Sequence, residues 1–179
     1  MLARAFPSSL KAQVEDVESQ IPVATFPTKE STIGTIKISG EEIYIPTRVY
    51  FPEPKLASFK SPVQERIFLC IYTRHYDGYI REKYLKKLIE GGVTEIWEVP
   101  YIIQLVGESV VEIVDVVASI EESLTRFPFL DVIAENEPFL ELTRQRVSSY
   151  WNVYYRHLYP KIEDYPGFRL LNRLGRTGR

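Results

Sequence analysis

The spacing of apolar residues divides the segment 67–90 into two helices. Residues 63–73 are apolar on nearly every side, which is typical of a helix at the centre of a core, or of a buried strand. Beyond residue 73 the apolar residues follow helical spacing, and the opposite face of the predicted helix is charged. These apolar residues are Ile80, Tyr84, Leu85, Leu88 and Ile89. Asp77 is placed to cap this second helix, and Gly91 and Gly92 to end it.

Two further stretches have helical periodicity. The segment 100–120 is apolar except for polar residues spaced three or four apart, which predicts one helix with a narrow polar stripe: Gln104, Glu108, Glu112, Asp115 and Ser119. Gly107 within it indicates a close approach by a neighbouring element. After Asn136 comes another helix, whose inward face is predicted to hold Leu140, Thr143, Val147, Tyr150 or Trp151, Tyr154 and Leu158.

Strand periodicity occurs only towards the N-terminus. Segments 35–39 and 42–45 alternate apolar and polar residues, and Gly40 and Glu41 between them fit a two-residue turn. Pro46 would place the second strand at an edge or a bulge. This pattern predicts a β-hairpin.

Together these elements predict a mainly α (α+β) fold. Four to five helices pack around the segments 67–90 and 100–120, and the β-hairpin is appended at the N-terminus. The length of 179 residues fits one domain over 1–179. Within it we expect an N-terminal helix and hairpin region at 1–60, a helical core at 61–174 and a flexible tail at 175–179.

Composition narrows the class of protein. Hydrophobic residues make up 45% and charged residues 26%, as in soluble globular proteins. The single Cys70 excludes an internal disulfide framework and a zinc site built on several thiolates. No signal peptide is recognised at the N-terminus, and acidic residues interrupt the longest apolar stretch. We therefore expect a cytoplasmic protein with no membrane partner and no cofactor.

The junction between the first two helices holds the best candidates for catalysis. Arg74 and Asp77 flank His75, and an imidazole oriented by a carboxylate can act as a general base, with Arg74 or Arg81 as an anion contact. This reading predicts a hydrolase or nuclease. The structural reading is that Asp77 caps the helix and His75 bonds a backbone carbonyl, and the sequence favours it.

A metal site is not predicted. Glu108, Glu112 and Asp115 lie on one predicted face, as carboxylates do in metal-binding helical bundles. Such sites also need partner ligands, commonly Glu-x-x-His, and no glutamate here has a histidine three residues later.

Charge is unevenly distributed. The segment 108–137 contains eight acidic residues against the single Arg126. The C-terminal segment is basic and carries Arg169, Arg173, Arg176 and Arg179. These arginines could contact nucleic acid phosphates, but the formal net charge of −2 makes this the less favoured alternative. A contact with the acidic region, within the chain or between subunits, is equally physical.

Aromatic residues crowd the segment 150–159 beyond what one helical face can bury. Tyr150, Trp151 and Tyr154 fit the core side, which leaves Tyr155 and Tyr159 at an edge or an interface. The candidate partner-binding residues are therefore Tyr150, Trp151, Tyr155 and Tyr159. The sequence favours a small non-enzymatic interaction protein or accessory subunit, bound to a protein partner or to its own copies.

Overall fold

The computed structural model describes residues 2–23 and 31–176, which contain eight α-helices and one two-stranded sheet. The helices are α1 Lys11–Glu18, α2 Pro62–Tyr72, α3 Gly78–Glu90, α4 Val99–Val106, α5 Val111–Ala118, α6 Phe129–Glu135, α7 Glu137–Tyr150 and α8 Pro166–Arg176. The strands are β1 Ile36–Ile38 and β2 Glu41–Ile43. The mainly α fold class with an N-terminal hairpin is confirmed. No helix of the described residues is long and apolar enough to cross a membrane.

The chain forms two compact units, Met1–Gly91 and Gly92–Arg179. The division falls at the two glycines that follow α3, whereas the boundary predicted from the sequence, between the N-terminal region and the helical core, lies between residues 60 and 61. That the whole of 1–179 behaves as a single domain stays a prediction.

The first unit packs α1 against α2 and α2 against α3. Buried side chains of α1 are Val14 and Val17, and α2 is buried from Ile67 to its end at Tyr72. The β-hairpin is antiparallel, with Ile36 opposite Ile43, and both of these side chains are buried.

The hairpin turn is one residue earlier than the sequence suggested. Its central residues are Ser39 and Gly40, with φ of 51° and 81°, so Ile38 pairs with Glu41. A turn with positive φ at both central residues has a twist that matches the twist of the flanking strands. The predicted turn over Gly40 and Glu41 is therefore wrong.

In the second unit, α4 lies at the centre. All eight of its residues are buried, and α5, α6, α7 and α8 contact it. Pro100 occupies the first turn of α4, where the missing N–H of proline costs no intrahelical hydrogen bond.

One continuous helix over 100–120 is wrong, because the chain leaves the helix at Gly107 and resumes it as α5. A Cβ at Gly107 would lie 3.2 Å from Thr143 Cγ2 and 3.3 Å from Thr143 O of α7, so the predicted close approach is confirmed. Glu108 is buried beside the break and accepts a hydrogen bond from the Ser109 N–H at 3.0 Å. The expected polar stripe therefore does not lie along one helix.

Candidate functional site

The junction between α2 and α3 has the local geometry that its sequence predicts. Asp77 precedes α3 in an extended conformation, and its carboxylate accepts hydrogen bonds from Tyr79 N–H at 2.8 Å and Ile80 N–H at 3.4 Å. Asp77 is therefore the N-cap of α3. Its carboxylate is directed at the main chain of the helix rather than at His75.

His75 is buried, with 2% of its surface exposed, and both ring nitrogens bond the main chain. Nδ1 lies 3.0 Å from the Asp77 nitrogen, which can only donate, so Nδ1 accepts. Nε2 lies 2.9 Å from Phe51 O, which can only accept, so Nε2 carries the proton. Burial lowers the pKa of His75 and favours this neutral tautomer.

The two arginines of the junction donate to carbonyl groups of the protein. Arg74 is fully buried, and its Nε and Nη2 lie 3.2 and 2.6 Å from Pro46 O and Thr47 O. Arg81 Nη1 lies 2.8 Å from both His75 O and Tyr76 O. Neither guanidinium is presented to solvent as an anion contact.

The same junction fastens the loop that follows the hairpin. Val49 forms a single parallel β-bridge with His75. The Val49 N–H donates to Arg74 O and the Val49 carbonyl accepts from Tyr76 N–H, each at 2.9 Å. Further along, Glu53 accepts from Tyr84 Oη at 2.7 Å and Lys83 Nζ at 2.5 Å, and these bonds lower the pKa of Glu53. Of the candidate catalytic residues, Arg74 and His75 thus form a polar clamp on residues 46–51, while Asp77 and Arg81 bond the main chain of the junction itself.

The aromatic segment, residues 150–159, begins at the end of α7 and includes one π-helical turn, Trp151–Tyr155. The Tyr155 hydroxyl donates to Ser109 O at 2.5 Å and accepts from Val111 N–H at 3.1 Å. Burial raises the pKa of Tyr155. These bonds join the segment to the break between α4 and α5.

Buried Tyr165 is the packing partner of this segment. The rings of Tyr155 and Tyr159 each lie 5.5 Å from that of Tyr165, centroid to centroid. Trp151 Nε1 donates to Tyr159 O at 2.8 Å. Of the four candidate partner-binding residues, Trp151, Tyr155 and Tyr159 therefore hold the segment in place, while Tyr150 is half-buried beside Tyr154.

Three large hydrophobic side chains of the segment face solvent: Val153, Tyr154 and Leu158 are 63%, 53% and 60% exposed. The expectation that Tyr154 and Leu158 face inward is wrong. A π-helical turn holds one residue more than an α-helical turn, so the inward position passes from Tyr154 to Tyr155. Seven of the ten residues of the segment are apolar or aromatic, so a 3.6-residue period could not identify the exposed ones.

Acidic and basic segments meet within the second unit. Arg173 Nη1 of α8 lies 3.6 Å from Glu121 Oε1, and α8 packs against α5. Burial and the nearby Glu112 raise the pKa of Asp115, and Arg169 partly offsets them. The side chains of Arg176 and Arg179 lie outside the described residues. Among the described residues, no three or more His, Cys, Asp or Glu side chains lie close enough together to hold a metal ion.

A cavity of about 340 Å³ opens in the first unit between the N-terminal residues and the hairpin. Arg4 and Lys11 line it together with Glu41 and Glu42. The Glu41 carboxylate is already bonded to Ser8, at 2.8 Å from its nitrogen and 3.2 Å from its hydroxyl. Two cations and two carboxylates balance one another, so the lining favours no single class of ligand.

Comparisons with protein-family models, with curated proteins and with solved structures found no match for this chain.

Proposed function

We propose that this protein is a non-enzymatic interaction protein or accessory subunit that acts in the cytoplasm. The observation that carries the proposal is the exposure of Val153, Tyr154 and Leu158, each more than half exposed within six consecutive residues. Clustered apolar side chains on a surface mark contact sites more often than scattered ones do. Burying each against a partner would contribute about 1 kcal/mol.

Hydrogen bonds hold the main chain beneath these three side chains in one conformation, which favours binding of a partner. Tyr155 is bonded to the main chain at Ser109 and Val111, and Trp151 to Tyr159 O. A segment held in one conformation loses little entropy on binding. Tyrosine is also enriched at protein interfaces because it combines apolar area with a polar tip.

The hydrolase or nuclease alternative has less support. A general base needs a ring nitrogen within hydrogen-bond reach of the substrate. Both nitrogens of His75 are bonded to Asp77 N–H and Phe51 O, and the ring is buried. The imidazole proposed as the base thus bonds a loop of the protein instead of facing a substrate.

A photo-crosslinking amino acid at position 154 tests the proposal. The full-length chain would carry benzoylphenylalanine there and be irradiated in cells of the native host. Position 79 provides the matched control, because Tyr79 is also a tyrosine and is 85% exposed, but lies in α3. Covalent products are then resolved by mass and identified by mass spectrometry.

We expect a defined product from position 154 that is absent from position 79 and that Leu158→Ser greatly reduces. A product twice the mass of the chain would identify a second copy as the partner. The same set of products from both positions, or none from 154, would contradict the proposal.

A further inference from the structure

We propose that the partner presents an acidic amphipathic helix to the surface formed by Val153, Tyr154 and Leu158. This inference rests on the proposed function and specifies the chemistry of its partner. Tyr154 and Leu158 are four residues apart and Val153 precedes Tyr154, in the π-helical turn and the following turn that come directly after α7. An exposed apolar row of this kind is complementary to the apolar face of a second helix.

The ionisable side chains that lie near these three residues in the sequence include basic residues and no acidic ones. Residues 150–161 include Arg156, His157 and Lys161, all three exposed, and no aspartate or glutamate. In the chain the next acids are Glu163 and Asp164, beyond Lys161, and the charge of Glu112 acts on Tyr155, whose hydroxyl bonds Ser109 and Val111. A helix with glutamate or aspartate beside its apolar face would therefore find cations at the rim of this surface.

Arg156 is held next to the apolar residues by its neighbours. Its guanidinium lies 5.7 Å from the Trp151 ring centroid, within the range of a cation–π contact. Nη1 is also 3.5 Å from Asn152 Oδ1. A cation positioned in this way loses less side-chain entropy when it pairs with a carboxylate.

The same charge pattern disfavours a second copy as the occupant. In a two-fold symmetric contact each surface meets an identical one, so Arg156 and Lys161 would meet a surface that carries the same cations. Like charges placed together across an interface oppose association. An acidic partner of a different sequence removes this repulsion.

Two designed helical peptides test the charge preference directly. Both have about 18 residues and an identical leucine face, and their polar positions are all glutamate in one and all lysine in the other. Binding of each fluorescent peptide to the full-length protein is measured by anisotropy at roughly 50 mM and 500 mM salt. The protein variants are Tyr154→Ser/Leu158→Ser, Arg156→Glu/Lys161→Glu and the control Tyr79→Ser.

We expect the glutamate peptide to bind about ten-fold more tightly than the lysine peptide at low salt, with the difference shrinking at high salt. Tyr154→Ser/Leu158→Ser should abolish binding, Arg156→Glu/Lys161→Glu should reverse the preference, and Tyr79→Ser should bind as wild type. These side chains are exposed, so their replacement should not disturb the fold. An unchanged circular dichroism spectrum verifies that each variant is folded.

Equal binding of the two peptides, no binding of either, or binding unaffected by Tyr154→Ser/Leu158→Ser would overturn the inference. The crosslinking from position 154 keeps the two proposals distinguishable. If crosslinks form there while the peptides fail, the interaction surface stands and only the acidic helix is excluded. If no crosslinks form, the proposed function itself fails.

Discussion

Arg74 shows how hydrogen bonds to main-chain carbonyl groups stabilise a buried guanidinium. A guanidinium removed from water loses several kcal/mol of hydration, which hydrogen bonds to the charged group must offset. Arg74 donates to Pro46 O and Thr47 O, so its side chain links the end of α2 to the loop after the hairpin. These two hydrogen bonds give Arg74 a structural role, which the sequence alone does not indicate.

Replacing Arg74 by methionine should destabilise the protein by about 2–4 kcal/mol, because two carbonyl groups lose charge-assisted hydrogen bonds. Urea unfolding followed by far-ultraviolet circular dichroism measures the loss. Lys86→Met is the control: Lys86 forms an exposed pair with Glu82, so its replacement should cost less than about 1 kcal/mol. Equal losses for the two variants would contradict the role assigned to Arg74.

His75 should make stability depend on pH. Its pKa is lowered in the folded protein, so the unfolded chain binds the proton more readily. Stability is then fully present above the unfolded pKa of about 6.5, and is lost as the pH falls below that value towards the folded pKa. Unfolding free energies measured between about pH 8 and pH 5 should decrease in the wild type and decrease less in His75→Gln.

His157→Gln is the matched control for this pH dependence. His157 is the other of the two histidines and is exposed. Its replacement should leave the wild-type slope unchanged. If His157→Gln flattens the profile and His75→Gln does not, the buried imidazole is not the titrating group.

At the scale of elements, the break after α4 determines how the second unit packs. Gly107 lets α7 approach closely, since any side chain there would meet Thr143. Ser109 in the break and Val111 at the start of α5 in turn offer the main-chain groups that bind the Tyr155 hydroxyl. One glycine thus connects the packing of α4 with the position of the aromatic segment.

Gly107→Ala should lower the free energy of unfolding by about 1–3 kcal/mol, because its Cβ would press against the Thr143 carbonyl, which belongs to a helix and cannot yield freely. Gly175→Ala in α8 is the control: its Cβ would lie 3.4 Å from the flexible end of Arg144, and alanine favours the helix. Urea unfolding followed by tryptophan fluorescence compares them. A Gly107→Ala protein as stable as wild type would refute the close approach.

At the scale of the whole molecule, charge argues for a protein partner over nucleic acid. The formal net charge is −2, and Arg173 of the basic C-terminal segment is paired with Glu121. Tight binding to DNA needs several cations free to displace counterions from phosphates. The basic segment and the acidic region neutralise one another in part within the same unit.

The full-length protein should therefore show no measurable binding to a fluorescent DNA duplex at roughly 150 mM salt. Fluorescence anisotropy tests this, with a titration at lower salt for comparison. Retention that weakens with salt and disappears on removal of residues 175–179 would instead favour the nucleic-acid alternative.

The amino-acid sequence by itself determined the local elements. Helical spacing from Ile80 to Ile89, the cap at Asp77 and the glycines after α3 specify that helix, because each acts through residues close in the chain. The alternation around Gly40 likewise specifies a hairpin, although not the residues of its turn. The fold class follows from such short-range signals.

Tertiary structure alone decided which side chains remain exposed and which are engaged. His75 bonds Phe51 O from a loop 24 residues away, and Tyr155 bonds Ser109 from 46 residues away. A π-helical turn then moved Tyr154 from the predicted inward face to the surface. Contacts between residues so distant in sequence leave no periodic pattern, so the polar clamp and the exposed apolar surface emerge only from the folded chain.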